Sequence, residues 1–177
     1  MKKLGITLLI IAIITITAVA SNQGTASEKY LRIHIRANSN SLTDQSVKYE
    51  IKDQIISHLT PFIIECKSKS DVISVLNEKT TEINGIINNV LRKNGFTYTG
   101  KMVVRNELFP TRVYGDFTLE EGFYDAVIVE LGKAEGDNWW CVMYPPLCFA
   151  EAENLTYKSK IAELIQEFKQ KYIKEKV

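Results

Sequence analysis

Several residue types that define whole classes of protein are scarce in this sequence. Of its 177 residues, three are cysteine, four are proline and nine are glycine. So few cysteines exclude a disulfide-dense scaffold, and so little proline and glycine excludes a collagen-like or low-complexity chain. Lys and Arg number 22 against 21 Asp and Glu. This balance excludes a basic nucleic-acid-binding protein, because that class needs a clustered excess of cations.

The sequence motifs of common catalytic and nucleotide-binding sites are also missing. The chain contains no G-x-x-x-x-G-K-[ST], no G-x-G-x-x-G, no G-x-S-x-G, no H-E-x-x-H and no C-x-x-C. Its two histidines and three cysteines fit no common zinc-ligand spacing. We therefore expect no metal, no cofactor, no nucleic acid and no small-molecule substrate.

The N-terminal residues have the pattern of an export signal. Lys2 and Lys3 precede an uncharged run over residues 4–20, which ends in Ala18-Val19-Ala20. A short basic region, an apolar stretch and a small-x-small end are typical of a secretory signal peptide. The alternative is an uncleaved anchor. The run lies at the lower length limit for crossing a bilayer of about 30 Å, which favours cleavage.

These patterns predict three segments. Residues 1–20 are a signal peptide or signal anchor, and residues 21–29 are a flexible stem, which begins with the small polar run SNQGTAS. Residues 30–177 form a single domain outside the cytoplasm, because a chain that is 45% hydrophobic and of this length can bury one core.

The first part of this domain predicts one strand and two helices. Residues 30–37 alternate apolar and polar, which indicates a half-buried strand with His34 on its polar side. Apolar residues then recur at helical spacing in two stretches. Thr43 or Asp44 can cap the first helix, and Ser70-Asp71 can cap the second. The apolar positions are Val47, Ile51, Ile55, Leu59 and Phe62, then Val75, Leu76, Ile83, Ile86, Ile87, Val90 and Leu91.

The second part is rich in strand-forming residues. Strands are predicted over residues 96–107, 123–131 and 139–144, with residues 132–137 as a hairpin loop. An amphipathic helix follows from Tyr157. The element order is β-α-α-β-β-β-α, and the fold class is α+β: a small, mostly antiparallel sheet covered by amphipathic helices. An antiparallel meander joined by the first strand is the natural packing.

Two histidines and three cysteines are the candidate reactive groups. His34 can act as a general base, although a partly exposed structural histidine is the more common case, and His58 is expected to be structural. Cys141 and Cys148 leave three interpretations open: a disulfide, two buried thiols, or a nucleophile activated by His34. A disulfide needs α-carbons within about 7 Å, so the chain between them would have to reverse.

One loop has the composition of a recognition surface. Residues 109–116 combine Phe109, Arg112, Tyr114 and Asp116 with a proline and a glycine. Arg and Tyr are frequent anchors at protein interfaces, and loops on a rigid scaffold often carry function. The alternative is an Arg112–Asp116 pair that only organises a turn.

Three separated blocks resemble the stage II sporulation protein R family, secreted signalling proteins of endospore-forming Firmicutes. They are LRIHIRANSNSLTDQSVKYEIKD at residues 31–53, FPTRVYGDFTLEEGFYDAVIVELG at residues 109–132 and DNWWCVMYPPLCF at residues 137–149. The resemblance covers residues 30–150 and is most specific in the third block.

The resemblance implies a function as an activating ligand. Proteins of this family are exported from the forespore into the intermembrane space. There they trigger a mother-cell membrane-embedded aspartic protease that processes the sigma-E precursor, and they are not themselves enzymes. We expect the receptor contact around Phe109, Arg112, Tyr114 and Asp116, with His34 and Asn38 as further candidates. The alternative function is a secreted cysteine hydrolase that uses Cys141 or Cys148 with His34.

Overall fold

A computed structural model describes residues 26–115, 117–150 and 155–172. The predicted signal segment therefore lies outside the described residues. The elements are α1 (Ala26–Lys29), β1 (Leu31–Arg36), α2 (Leu42–Ile63), α3 (Lys69–Lys93), β2 (Gly100–Phe109), β3 (Arg112–Tyr114), β4 (Phe117–Leu119), β5 (Gly122–Leu131), β6 (Asn138–Tyr144), a 3-10 turn (Leu147–Phe149) and α4 (Leu155–Tyr172). The predicted α+β class and the mostly antiparallel sheet are confirmed.

The order of the main sheet is β2-β5-β1-β6. β1 pairs in parallel with β5 and antiparallel with β6, while β2 and β5 are antiparallel. The predicted meander is therefore wrong, and residues 132–137 are not a hairpin loop, because β1 lies between the strands that they connect. β1 fits the centre of the sheet since both of its faces are buried.

Helices α2 and α3 cover one face of the sheet. We call this the helical face. Their apolar stripes pack on alternate residues of β1 and β5, including Ile33, Ile35, Val127 and Val129, all with no exposed surface. Both predicted caps are two or three residues too late: Ser41 caps α2 and accepts a hydrogen bond from the Asp44 N–H, and Ser68 caps α3. Several residues in each stretch can cap a helix, so the pattern alone does not choose among them.

The opposite face carries a second, aromatic core. We call this the aromatic face. It is covered by the two-stranded β3–β4 hairpin and by α4, whose Phe168 packs on Tyr30 with ring centroids 5.3 Å apart. The buried residues of this core are Tyr30, Phe109, Leu119, Tyr124, Ala126, Ile128, Val142 and Phe168. Arg32 and His34 lie on this face, so the side of β1 predicted to be exposed is covered.

The last residues of the predicted stem are structured. Residues 26–29 form α1, and the Lys69 side chain donates hydrogen bonds to the Ser27 carbonyl (2.8 Å) and to Asp125 (2.7 Å). The stem prediction is therefore wrong for these four residues, while residues 21–25 lie outside the described part. Within the described ranges, no helix is long and apolar enough to span a membrane.

Candidate functional site at the hairpin

The β3–β4 hairpin lies over a fully buried arginine. Arg32 has no exposed surface, and its guanidinium donates to the Tyr114 hydroxyl (3.0 Å) and to the Pro110 carbonyl (3.4 Å). The guanidinium carbon is 4.3 Å from the ring centroid of Phe109 and 4.8 Å from that of Tyr124. The rings and oxygens replace part of the hydration that the cation loses on burial. Arg32 thereby holds the hairpin to the sheet.

A second cation–π contact joins the outer side of the hairpin to β6. The guanidinium of exposed Arg112 lies 5.3 Å from the Trp140 ring centroid. Trp140 in turn packs on His34, which is opposite it in the β1–β6 ladder, with ring centroids 4.6 Å apart. The Arg112 guanidinium on the hairpin and the Trp140 ring on β6 thus lie together, which is a suitable arrangement for an interface anchor.

His34 is buried as a neutral ring. It has no exposed surface, and neither ring nitrogen has a hydrogen-bond partner, although Nε2 lies 3.2 Å from a carboxylate oxygen of Glu107. Burial, and then the positive charge of Arg36, lower the pKa of His34 to about 4. The Glu107 carboxylate opposes this shift without overcoming it. A neutral, enclosed imidazole at neutral pH belongs to the core more than to a contact surface.

The predicted contact residues fall into three groups. Arg112 is exposed and Tyr114 is partly exposed on the hairpin, as a recognition role requires. Phe109 and His34 have no exposed surface, which corrects the expectation that they touch a partner directly. Asp116 lies outside the described residues, so the predicted Arg112–Asp116 pair lies outside them too.

Asn38 has a structural position at the other end of the sheet. Its side-chain amide donates to the Asp44 carboxylate at 2.9 Å, and its oxygen accepts from the Lys133 backbone N–H at 2.9 Å. It therefore joins the turn after β1 to the connection between β5 and β6. These bonds occupy the side chain, and β1 places it far from the hairpin.

The two cysteines of the third sequence block lie on the helical face. In the β1–β6 ladder Cys141 pairs with Ile33, whereas His34 pairs with Trp140. Adjacent residues of a strand point to opposite faces, and both Cys141 and Cys148 pack against the helical core. His34 is on the aromatic face, so the sheet separates it from both thiols. The nucleophile–base pair that the hydrolase alternative needs is not formed.

Exposed apolar side chains on β2, β3 and β5 were not predicted from the sequence. Leu108 and Phe123 face each other across the β2–β5 ladder and are 51% and 64% exposed, and Val113 on β3 is 69% exposed. We call residues 108–115 and 117–123 the distal ribbon. The available signal was an apolar residue at one end of each strand, Leu108 on β2 and Phe123 on β5.

The fold and the site define a small α+β domain, built on a four-stranded sheet, whose candidate site is an exposed ribbon supported by a buried arginine. The profile of the stage II sporulation protein R family matches residues 27–154. The chain belongs to this family, which gives it a role in sporulation.

A curated relative supports the same assignment. The stage II sporulation protein R of Bacillus subtilis (strain 168) is 33% identical over 127 residues, which are 72% of this chain and 57% of that protein. The chain thus matches a little over half the length of that relative. No solved structure matches the chain.

Proposed function

We propose that this chain is an exported signalling protein of endospore formation. It is secreted from the forespore into the intermembrane space, where it activates the mother-cell membrane aspartic protease that processes the sigma-E precursor. The match of residues 27–154 to the family is the observation that carries this proposal. The export pattern over residues 1–20 supports a location in the intermembrane space. A ligand for an extracytoplasmic receptor surface has to reach that space.

The distal ribbon is the proposed receptor contact. Three of the five large apolar side chains that are exposed among the described residues lie on it: Leu108, Val113 and Phe123. Arg112 supplies a cation on the same ribbon, where it lies over Trp140 on the aromatic face. Apolar side chains combined with an arginine that is held in place match the composition of interface centres, where a few anchors supply most of the binding energy.

Activation is proposed to follow from selective binding. An aspartic protease assembled from two chains needs two aspartates brought together. A ligand that binds the assembled arrangement more tightly than the separated one shifts the equilibrium by its differential affinity and by no more. Arg32 holds the hairpin in one arrangement before binding, which reduces the ordering cost of association.

A reconstitution in a non-sporulating bacterial host tests the proposal. The sigma-E precursor and its membrane protease are co-expressed with the full chain or with a chain that lacks residues 1–20, and precursor cleavage is followed by a gel shift. We expect cleavage only with the exported chain. Absence of cleavage, with both partners present and the domain exported and folded, would refute the activating role.

A further inference from the structure

The chain reverses after β6 and brings two cysteines side by side. Cys141 lies on β6, and Cys148 lies in the 3-10 turn that follows Pro145-Pro146. The Cys148 thiol donates to the Val142 carbonyl oxygen at 2.8 Å, and the Cys141 sulfur lies 4.0 Å from the same oxygen. Both sulfurs therefore converge on one peptide group.

We propose that Cys141 and Cys148 are a redox-active pair that closes into an intramolecular disulfide. One S–S bond forms and two S–H bonds break. The two electrons and two protons pass to a disulfide oxidant, either oxidised glutathione or the active-site disulfide of a thiol oxidoreductase, which becomes two thiols. The disulfide links the middle of β6 to the 3-10 turn that precedes α4.

The surroundings of the two sulfurs differ and set the order of the steps. The neighbouring Cys148 thiol lowers the pKa of the Cys141 thiol, whereas burial raises the pKa of the Cys148 thiol. The thiolate is the attacking form, so Cys141 attacks the oxidant and carries the mixed disulfide. Cys148 then attacks the Cys141 sulfur and releases the reduced oxidant.

The third cysteine provides an internal reference. The Cys66 thiol is buried and donates to the Phe62 carbonyl at 3.4 Å. Burial raises its pKa to about 11, so its thiolate is scarce at neutral pH. A folded chain treated with a disulfide oxidant should therefore keep Cys66 reduced while the pair closes.

Thiol counting on the purified full-length chain tests the proposal. The chain is equilibrated with reduced or oxidised glutathione, quenched with acid, denatured and alkylated, and the tags are located by peptide mass spectrometry. We expect three tags after reduction and one tag, on Cys66, after oxidation. The variant C66S should change from two tags to none, and C148S should trap glutathione on Cys141.

Two results would overturn the pair. One is three tags on the folded chain in oxidised glutathione, and the other is a linked peptide that contains Cys66. A thermal midpoint higher in the oxidised than in the reduced chain, with no such difference in C141S, is the accompanying expectation. These readouts are independent of receptor activation, so failure here leaves the proposed function untouched, and the reverse also holds.

Discussion

Tyr98 donates a 2.6 Å hydrogen bond to the buried carboxylate of Asp44. The other carboxylate oxygen accepts from Ser39 (2.5 Å) and Asn38 (2.9 Å). Burial alone would raise the pKa of Asp44, but these hydrogen bonds outweigh it and the pKa is lowered. One side chain thereby joins the turn after β1, the first turn of α2 and the segment that leads into β2.

Replacing Tyr98 by phenylalanine should destabilise the fold. A hydrogen bond to a charged group contributes about 1.5–3 kcal/mol, and Tyr98→Phe removes one while leaving the ring in place. Denaturant titration at neutral pH measures the change. Unchanged unfolding free energy would show that the bond contributes nothing.

Acid should remove the same contribution in the unmodified chain. A folded-state pKa below the unfolded value means that the contribution is full above the unfolded pKa of about 3.9 and falls as the pH drops through the folded pKa. Asp44→Asn should therefore lower stability at neutral pH and reduce its dependence on pH in this acidic range. Parallel acid titrations of the two chains would contradict this.

His34 should make the fold sensitive to mild acid. Its pKa is lowered to about 4 in the folded chain, against about 6.5 when unfolded. The unfolded chain therefore binds the proton first, and stability falls with decreasing pH between the two values, by at most about 1.4 kcal/mol per pH unit. Thermal melts from pH 7 to 4 should show a shallower decline for His34→Gln than for His58→Gln, which retains His34. Equal declines would exclude His34 as the source.

Gly132 should not tolerate a side chain. Gly132 directly follows β5 and has a φ of +57°. A Cβ added at this position would collide with the Asn38 side chain. The left-handed backbone alone costs a non-glycine residue about 1–2 kcal/mol, so Gly132→Ala should lower the unfolding free energy by at least that amount.

A matched control for this change lies on α3. An added Cβ at Gly85 meets no atom within 4 Å, and alanine favours the helix interior over glycine by about 0.5–1 kcal/mol. Gly85→Ala should therefore raise the midpoint of denaturation. Equal effects of the two substitutions would show that backbone conformation does not decide the outcome.

Adding a negative charge to the distal ribbon, or removing its Arg112 side chain, should strongly reduce activation without unfolding the domain. In the reconstituted host, Val113→Asp, Phe123→Asp and Arg112→Ala should each reduce precursor cleavage at least tenfold. Leu42→Asp is the control, because Leu42 is 90% exposed at the start of α2, at the opposite end of the sheet. Full activity of all three ribbon variants, with export intact, would remove the ribbon as the contact surface.

Features that depend on a few adjacent residues could be predicted from the sequence. The alternation over residues 123–131 places Val127 and Val129 on one face and Ala126 and Ile128 on the other, as the two cores confirm. Gly95 follows the C-cap of α3 and has a φ of +78°, the left-handed conformation typical of a glycine at that position. Both features follow from the geometry of a few adjacent residues.

Features that depend on distant residues could not be predicted in this way. Arg32 and His34 suggested a solvent-facing side of β1, but the hairpin and Trp140 cover them from far along the chain. The turn over residues 132–137 is real, yet its own sequence does not reveal that β1 separates the strands it connects. The candidate site was likewise predicted only in part. Arg112 and Tyr114 are at its surface, whereas Phe109 is buried beneath it.

The central position of β1 has a consequence for the order of folding. Arg32 pairs with Ala126 on one side and with Val142 on the other. β1 is therefore synthesised well before β5 and β6, the two strands with which it pairs. Closing such long loops before any pairing energy is gained slows folding. A chain that emerges N-terminus first can form α2 and α3 early, but its sheet cannot assemble until residues 138–144 have appeared. If the chain is exported as we propose, this delay would keep it unfolded during its passage through the export channel.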